Sequence, residues 1–81
     1  MKAYQVFTGD LDKHGHQKFE LDSTYLSKGM ALIRCKEIIE AEEFKDEKIE
    51  LTTLKNGSMH WEASGWDIIT ICKLEEIKII E

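Results

Sequence analysis

Tyr4, Val6, Phe7 and Thr8 open the chain with residue types that fit a pleated, half-buried surface, and they predict a strand over residues 2–8 that stops at Gly9-Asp10. A polar stretch runs from Gly9 to Gln17. Phe19, Leu21, Ser23 and Tyr25 then alternate with Lys18, Glu20, Asp22 and Thr24, the period of a second strand with one face toward a core. Consecutive strands joined by a loop of about nine residues predict an antiparallel hairpin.

The period then changes. Ser27 is an N-cap candidate, and Ala31, Leu32, Cys35, Ile38 and Ile39 recur at helical spacing, predicting an amphipathic helix over residues 28–43. Its apolar stripe must lie against the sheet, because no second helix is available to cover it. Arg34, Lys36, Glu37, Glu40 and Glu43 occupy the opposite side.

From Lys48 the alternation returns, with Ile49, Leu51 and Thr53 on one side and Glu50, Thr52 and Leu54 on the other. Asn56-Gly57 then predicts a hairpin with a type I′ turn, which needs positive φ at both central residues. Met59, Trp61 and Ala63 alternate with Ser58, His60 and Glu62 on the returning strand. Ser64-Gly65 marks a turn or bulge. Residues 66–74 form the most apolar segment, with Trp66, Ile68, Thr70, Cys72 and Leu74 on one face and Ile69 and Ile71 on the other. A strand apolar on both faces belongs in the centre of a sheet or beneath a cover. Glu75-Glu76 interrupt it, and Ile77, Ile79 and Ile80 predict a last short strand or a continuation past a bulge.

The predicted fold class is α+β, with a single helix packed on a four- to six-stranded antiparallel sheet in the order β-β-α-β-β-β. The expectation is a single domain over residues 1–81.

Composition narrows the function. Hydrophobic residues make up 42% and charged residues 33% of the chain, an ordinary globular balance. Eleven Lys and Arg against sixteen Asp and Glu give a net charge of -5, so the basic stripe of a nucleic-acid binder is missing. No apolar run approaches the roughly 18 residues of a membrane span. The first residues carry Lys2, Asp10, Asp12 and Lys13 without an apolar signal region, so a cytoplasmic location is expected. Cys35 and Cys72 form no C-x-x-C motif and read as buried free thiols, with a bridge in an exported form as the alternative.

Asp10, Asp12, His14 and His16 offer metal-ligating types around Gly15, yet the twelfth position of a calcium loop would be Leu21, where a bidentate Glu is needed. The segment reads as a polar hairpin loop, with no metal or cofactor as the first expectation and a transition metal held by His14, His16 and a carboxylate of Asp10 or Asp12 as the alternative. No glycine-rich phosphate loop and no nucleophile with an oriented base is readable, and Ser58 beside His60 is an ordinary strand arrangement, so a non-enzymatic role is expected.

Two features remain. Trp61 and Trp66 supply a large part of any core or contact surface, and one of them facing outward would mark a binding face, because a lone helix covers only one side of a sheet. Glu40, Glu43 and Glu47 belong to an acidic concentration at the helix C-terminus, where carboxylates oppose the macrodipole. The expected function is a small acidic protein-binding module, acting through an open sheet face or edge and able to form a homodimer. The alternative is an acidic inhibitor that imitates nucleic acid in the basic groove of a nucleic-acid-processing enzyme.

Overall fold

A computed structural model describes residues 1–64 and 68–79. Five strands and one helix follow one another as β1 (Lys2–Leu11), β2 (Gln17–Tyr25), α1 (Lys28–Ile39), β3 (Ile49–Thr53), β4 (Met59–Ser64) and β5 (Ile68–Lys78). The strands form one sheet in the order β2-β1-β5-β4-β3 with every neighbour antiparallel. The architecture is the predicted α+β type, and the most apolar strand, β5, is central.

The two hairpins are local, whereas β1 meets β5 across nearly the whole chain, from Lys2↔Lys78 to Thr8↔Cys72. The chain must therefore travel from one sheet edge, β2, to the other, β3. That path spans four interstrand spacings, roughly 19 Å. It is made over one face by α1 and a short 3-10 turn, Glu42–Phe44. The Ser27 hydroxyl caps α1 by accepting the Met30 N–H, as its sequence position predicts. Ala31 and Cys35 are buried against Val6, Trp61, Ile71, Cys72 and Leu74, with Tyr4, Tyr25, Leu32, Ile38 and Phe44 packed around them.

Helix α1 is shorter than its sequence pattern predicts. It ends at Ile39, and Ala41 is extended (φ -60, ψ 148). Carboxylates crowd this end against the macrodipole, and the break lets Phe44 turn back onto the core.

Both hairpins also close differently from the expectation. Gly57 is left-handed at φ +88 but Asn56 is not, so the turn is not type I′. Gly57 N–H donates to Leu54 O, Leu54 N–H donates to Ser58 O, and the Asn56 side chain accepts the Ser58 N–H at 2.9 Å. The β1–β2 loop repeats this design, with Gly15 at φ +82, Gly15 N–H donating to Asp12 O, and Asp12 N–H donating to His16 O. In each, a single glycine takes the left-handed position of a three-residue loop. Gly9, Asp10, Leu11 and Gln17, expected in a long loop, consequently lie within the ladder, as Gly9↔Phe19, Asp10↔Lys18 and Leu11↔Gln17.

Two bulges override the alternation. In β2 the partners pass from Val6↔Ser23 to Phe7↔Leu21, leaving Asp22 as an extra residue. Ser23 and Tyr25 stay on the helix side, while Phe19 and Leu21, expected on the same face as them, are thrown to the other. In β5 the partners pass from Trp61↔Cys72 to Glu62↔Thr70, so Ile71 is extra, and both Ile71 and Cys72 are buried in the core instead of on opposite faces. The strand continues unbroken through Glu75-Glu76, where Glu76 accepts the Tyr4 hydroxyl and pairs with Lys2.

Candidate interaction face

Helix α1 touches β5, β1 and β2 on one side only, and no element of the described residues crosses the other side of the sheet. Near the β2 edge this open face carries Phe7, Phe19 and Leu21. Phe7 and Leu21 are cross-strand partners, and Leu21 is 53% exposed. Phe19 pairs with Gly9 and is 38% exposed. Lys73, from the central strand, lays its ammonium 4.9 Å from the Phe7 ring centre and 4.4 Å from that of Phe19. A cation over two ring faces is held by their quadrupoles, and Glu75 adds an ion pair at 3.2 Å. The result is an aromatic and aliphatic patch with a fixed positive charge at its inner border.

Toward β3 the same face becomes polar. His60 is the partner of Lys73 on one side and of Thr52 on the other, and its Nε2 lies 3.4 Å from Ser58 Oγ. The Ser58 side chain is buried, so this pair does not present a hydroxyl to solvent.

Two contacts shape the patch. Gly9 has no room for a side chain, because a Cβ there would overlap the Thr70 carbonyl oxygen and crowd the Gln17 amide. Gln17 uses that room to reach across, donating from Nε2 to Thr70 O at 2.6 Å and accepting the Thr70 N–H at 3.3 Å. Its amide thus continues the ladder where the β1–β5 pairing stops at Thr8↔Cys72. On the helix side, the bulged Asp22 takes a forked hydrogen bond from Arg34, 2.7 Å from Nε and 2.9 Å from Nη2. This contact lowers the Asp22 carboxyl to about 2, against the opposing effect of burial and with help from the Ser23 hydroxyl, and it raises Arg34. The same bulge that sends Phe19 and Leu21 to the open face is therefore tied to α1.

Of the residues singled out in the sequence, Trp61 is 9% exposed and belongs to the core on the helix side. Trp66 lies outside the described residues. Glu40 caps α1, Glu43 sits in the 3-10 turn and Glu47 follows it, all exposed. They surround a turn rather than forming a straight helical ridge. Glu42, between them, is paired with Lys45 at 3.0 Å.

In the β1–β2 loop Asp12 Oδ1 accepts the His14 and His16 N–H groups at 2.9 and 2.8 Å, and Oδ2 faces Lys18 at 3.6 Å. The carboxylate holds the turn. Among the described residues no three His, Cys, Asp or Glu side chains converge as metal ligands. No helix among them is long and apolar enough to cross a membrane. Cys35 and Cys72 are free and buried.

Sequence reading missed Phe7, Phe19, Leu21 and Lys73 as a group. Their convergence depends on the Asp22 bulge, and nothing in the alternation of residues 18–25 announces it. No protein-family model matches this chain, no curated protein is significantly similar to it, and no solved structure matches it.

Proposed function

We propose that this chain is a small, acidic, non-enzymatic protein-binding module whose contact surface is the open sheet face around Phe7, Phe19 and Leu21, together with the adjoining edge of β2. The observation that carries this reading is the β2 bulge. It turns two large apolar side chains away from the helix and onto a face that nothing described covers. Burying the solvent-exposed parts of Phe19 and Leu21 would contribute on the order of 1 kcal/mol each. The outer edge of β2 adds unpaired backbone N–H and C=O groups able to accept a further strand. Lys73 and Glu75 give the patch a charged border that fixes the partner's register more than its affinity. A second copy of the chain is one such partner.

The test compares wild-type protein with Leu21→Asp and Phe19→Ser in sedimentation and in affinity capture from lysate, with and without nuclease. Far-UV circular dichroism verifies that each variant is folded. Loss of dimer or partner in the folded variants supports the reading. Retention of the partner in both variants, with loss on charge reversal at Glu40, Glu43 and Glu47, overturns it in favour of an acidic inhibitor directed at a basic groove.

A further inference from the structure

We propose that Cys35 and Cys72 form an intramolecular disulfide, a redox modification site at which the chain bolts α1 to its central strand without refolding. They are the only two cysteines in the sequence. One comes from the middle of α1 and the other from β5, and neither exposes any surface. Both belong to the same core cluster, with Val6, Ala31 and Leu74 around them. Both side chains are buried in one cluster at the helix–sheet interface, so an oxidised sulfur at either position has the other cysteine as the one thiol in its surroundings.

A low-molecular-weight disulfide such as oxidised glutathione is the oxidant. The thiolate of one cysteine attacks a glutathione sulfur, forming a mixed disulfide and releasing one glutathione thiolate, which takes up a proton. The second protein thiolate then attacks the protein sulfur of that mixed disulfide and expels the remaining glutathione. Two protein thiols lose two protons and two electrons to become one S–S bond, and one oxidised glutathione becomes two reduced molecules.

Burial sets the timing. With no surface on either sulfur, the first step requires α1 to lift from β5 in a local opening. While the interface is closed, contact with the Cys35 thiol and burial hold the Cys72 thiol above its ordinary value and keep it unreactive. Once formed, the bridge constrains the unfolded chain and opposes the same opening. The pair therefore records whether the helix has been exposed to an oxidising environment, and it locks the helix down afterwards.

The test treats purified, fully reduced full-length chain with oxidised glutathione in buffer and in a series of sub-denaturing urea concentrations. The expected product has an intact mass lower by two hydrogens and carries no glutathione. A non-reducing digest should join the Cys35 and Cys72 peptides, the rate should rise with urea, and the bridged chain should melt at a higher temperature with unchanged far-UV circular dichroism. Cys35→Ala should give at most one glutathione adduct, at Cys72, and no internal bridge. The wild-type result stands even if that variant fails to fold. Adducts retained on both cysteines, a bridge between two chains, a bridged chain that melts lower than the reduced one, or an unchanged mass throughout the urea series would each overturn the proposal.

Discussion

The Asp22–Arg34 pair is the contact whose removal should be most informative, because it ties the β2 bulge to α1. The perturbation is a double-mutant cycle of Asp22→Asn, Arg34→Gln and their combination. Lowering the Asp22 carboxyl from its ordinary 3.8 to about 2 sets a ceiling of about 2.4 kcal/mol, at roughly 1.36 kcal/mol per pH unit. Arg34 keeps 36% of its side-chain surface in solvent. Screening there reduces the expected coupling to about 1 kcal/mol, the upper end for exposed pairs and in keeping with the forked geometry.

Because the carboxyl is depressed in the folded chain, its contribution is fully present above 3.8, the unfolded value, and is lost as the pH falls toward 2. Near pH 3 about half should remain. Urea unfolding of the four proteins, followed by tryptophan fluorescence near pH 7 and about pH 3, measures this directly. A coupling indistinguishable from zero near neutrality, or one that does not change with pH, would refute the electrostatic account of how the bulge is held.

Three further substitutions follow from the packing. Gly9→Ala should destabilise by about 3 kcal/mol, since its methyl group meets the Thr70 backbone rather than a movable side chain; a thermal melt within a degree or so of wild type would show that β1 can move aside. Gln17→Leu leaves the Thr70 N–H and C=O without their partner and should cost about 1–3 kcal/mol in urea unfolding, with faster amide exchange at Thr70. Wild-type exchange at that amide would contradict the assigned hydrogen bond. Leu74→Ala empties a fully buried site beside Val6 and should cost about 2–5 kcal/mol, read as a lower urea midpoint.

The elements themselves were legible because short-range physics defines them. The cap at Ser27, the helical spacing of Ala31, Leu32, Cys35, Ile38 and Ile39, and the positions of Gly15 and Gly57 between alternating segments each act over a few residues. The central place of β5 was legible from its apolarity on both faces. The type of turn at Asn56-Gly57 was not, since an Asn side chain that accepts the Ser58 N–H favours a loop needing only one left-handed residue.

The interaction face was the least legible feature. In residues 18–25 the sequence alone determined a strand and its period of two, but the side to which each residue points depends on the register against β1. Only the assembled sheet decided that Asp22 would be the extra residue, that Arg34 on α1 would hold it, and that Phe19 and Leu21 would therefore face away from the helix. The pairing of β1 with β5 and the meeting of Cys35 with Cys72 likewise join residues distant in the chain. Period and composition are local properties that a sequence carries in full. Register and juxtaposition are settled by the sum of many distant contacts, and a one-residue slip reverses every side chain beyond it.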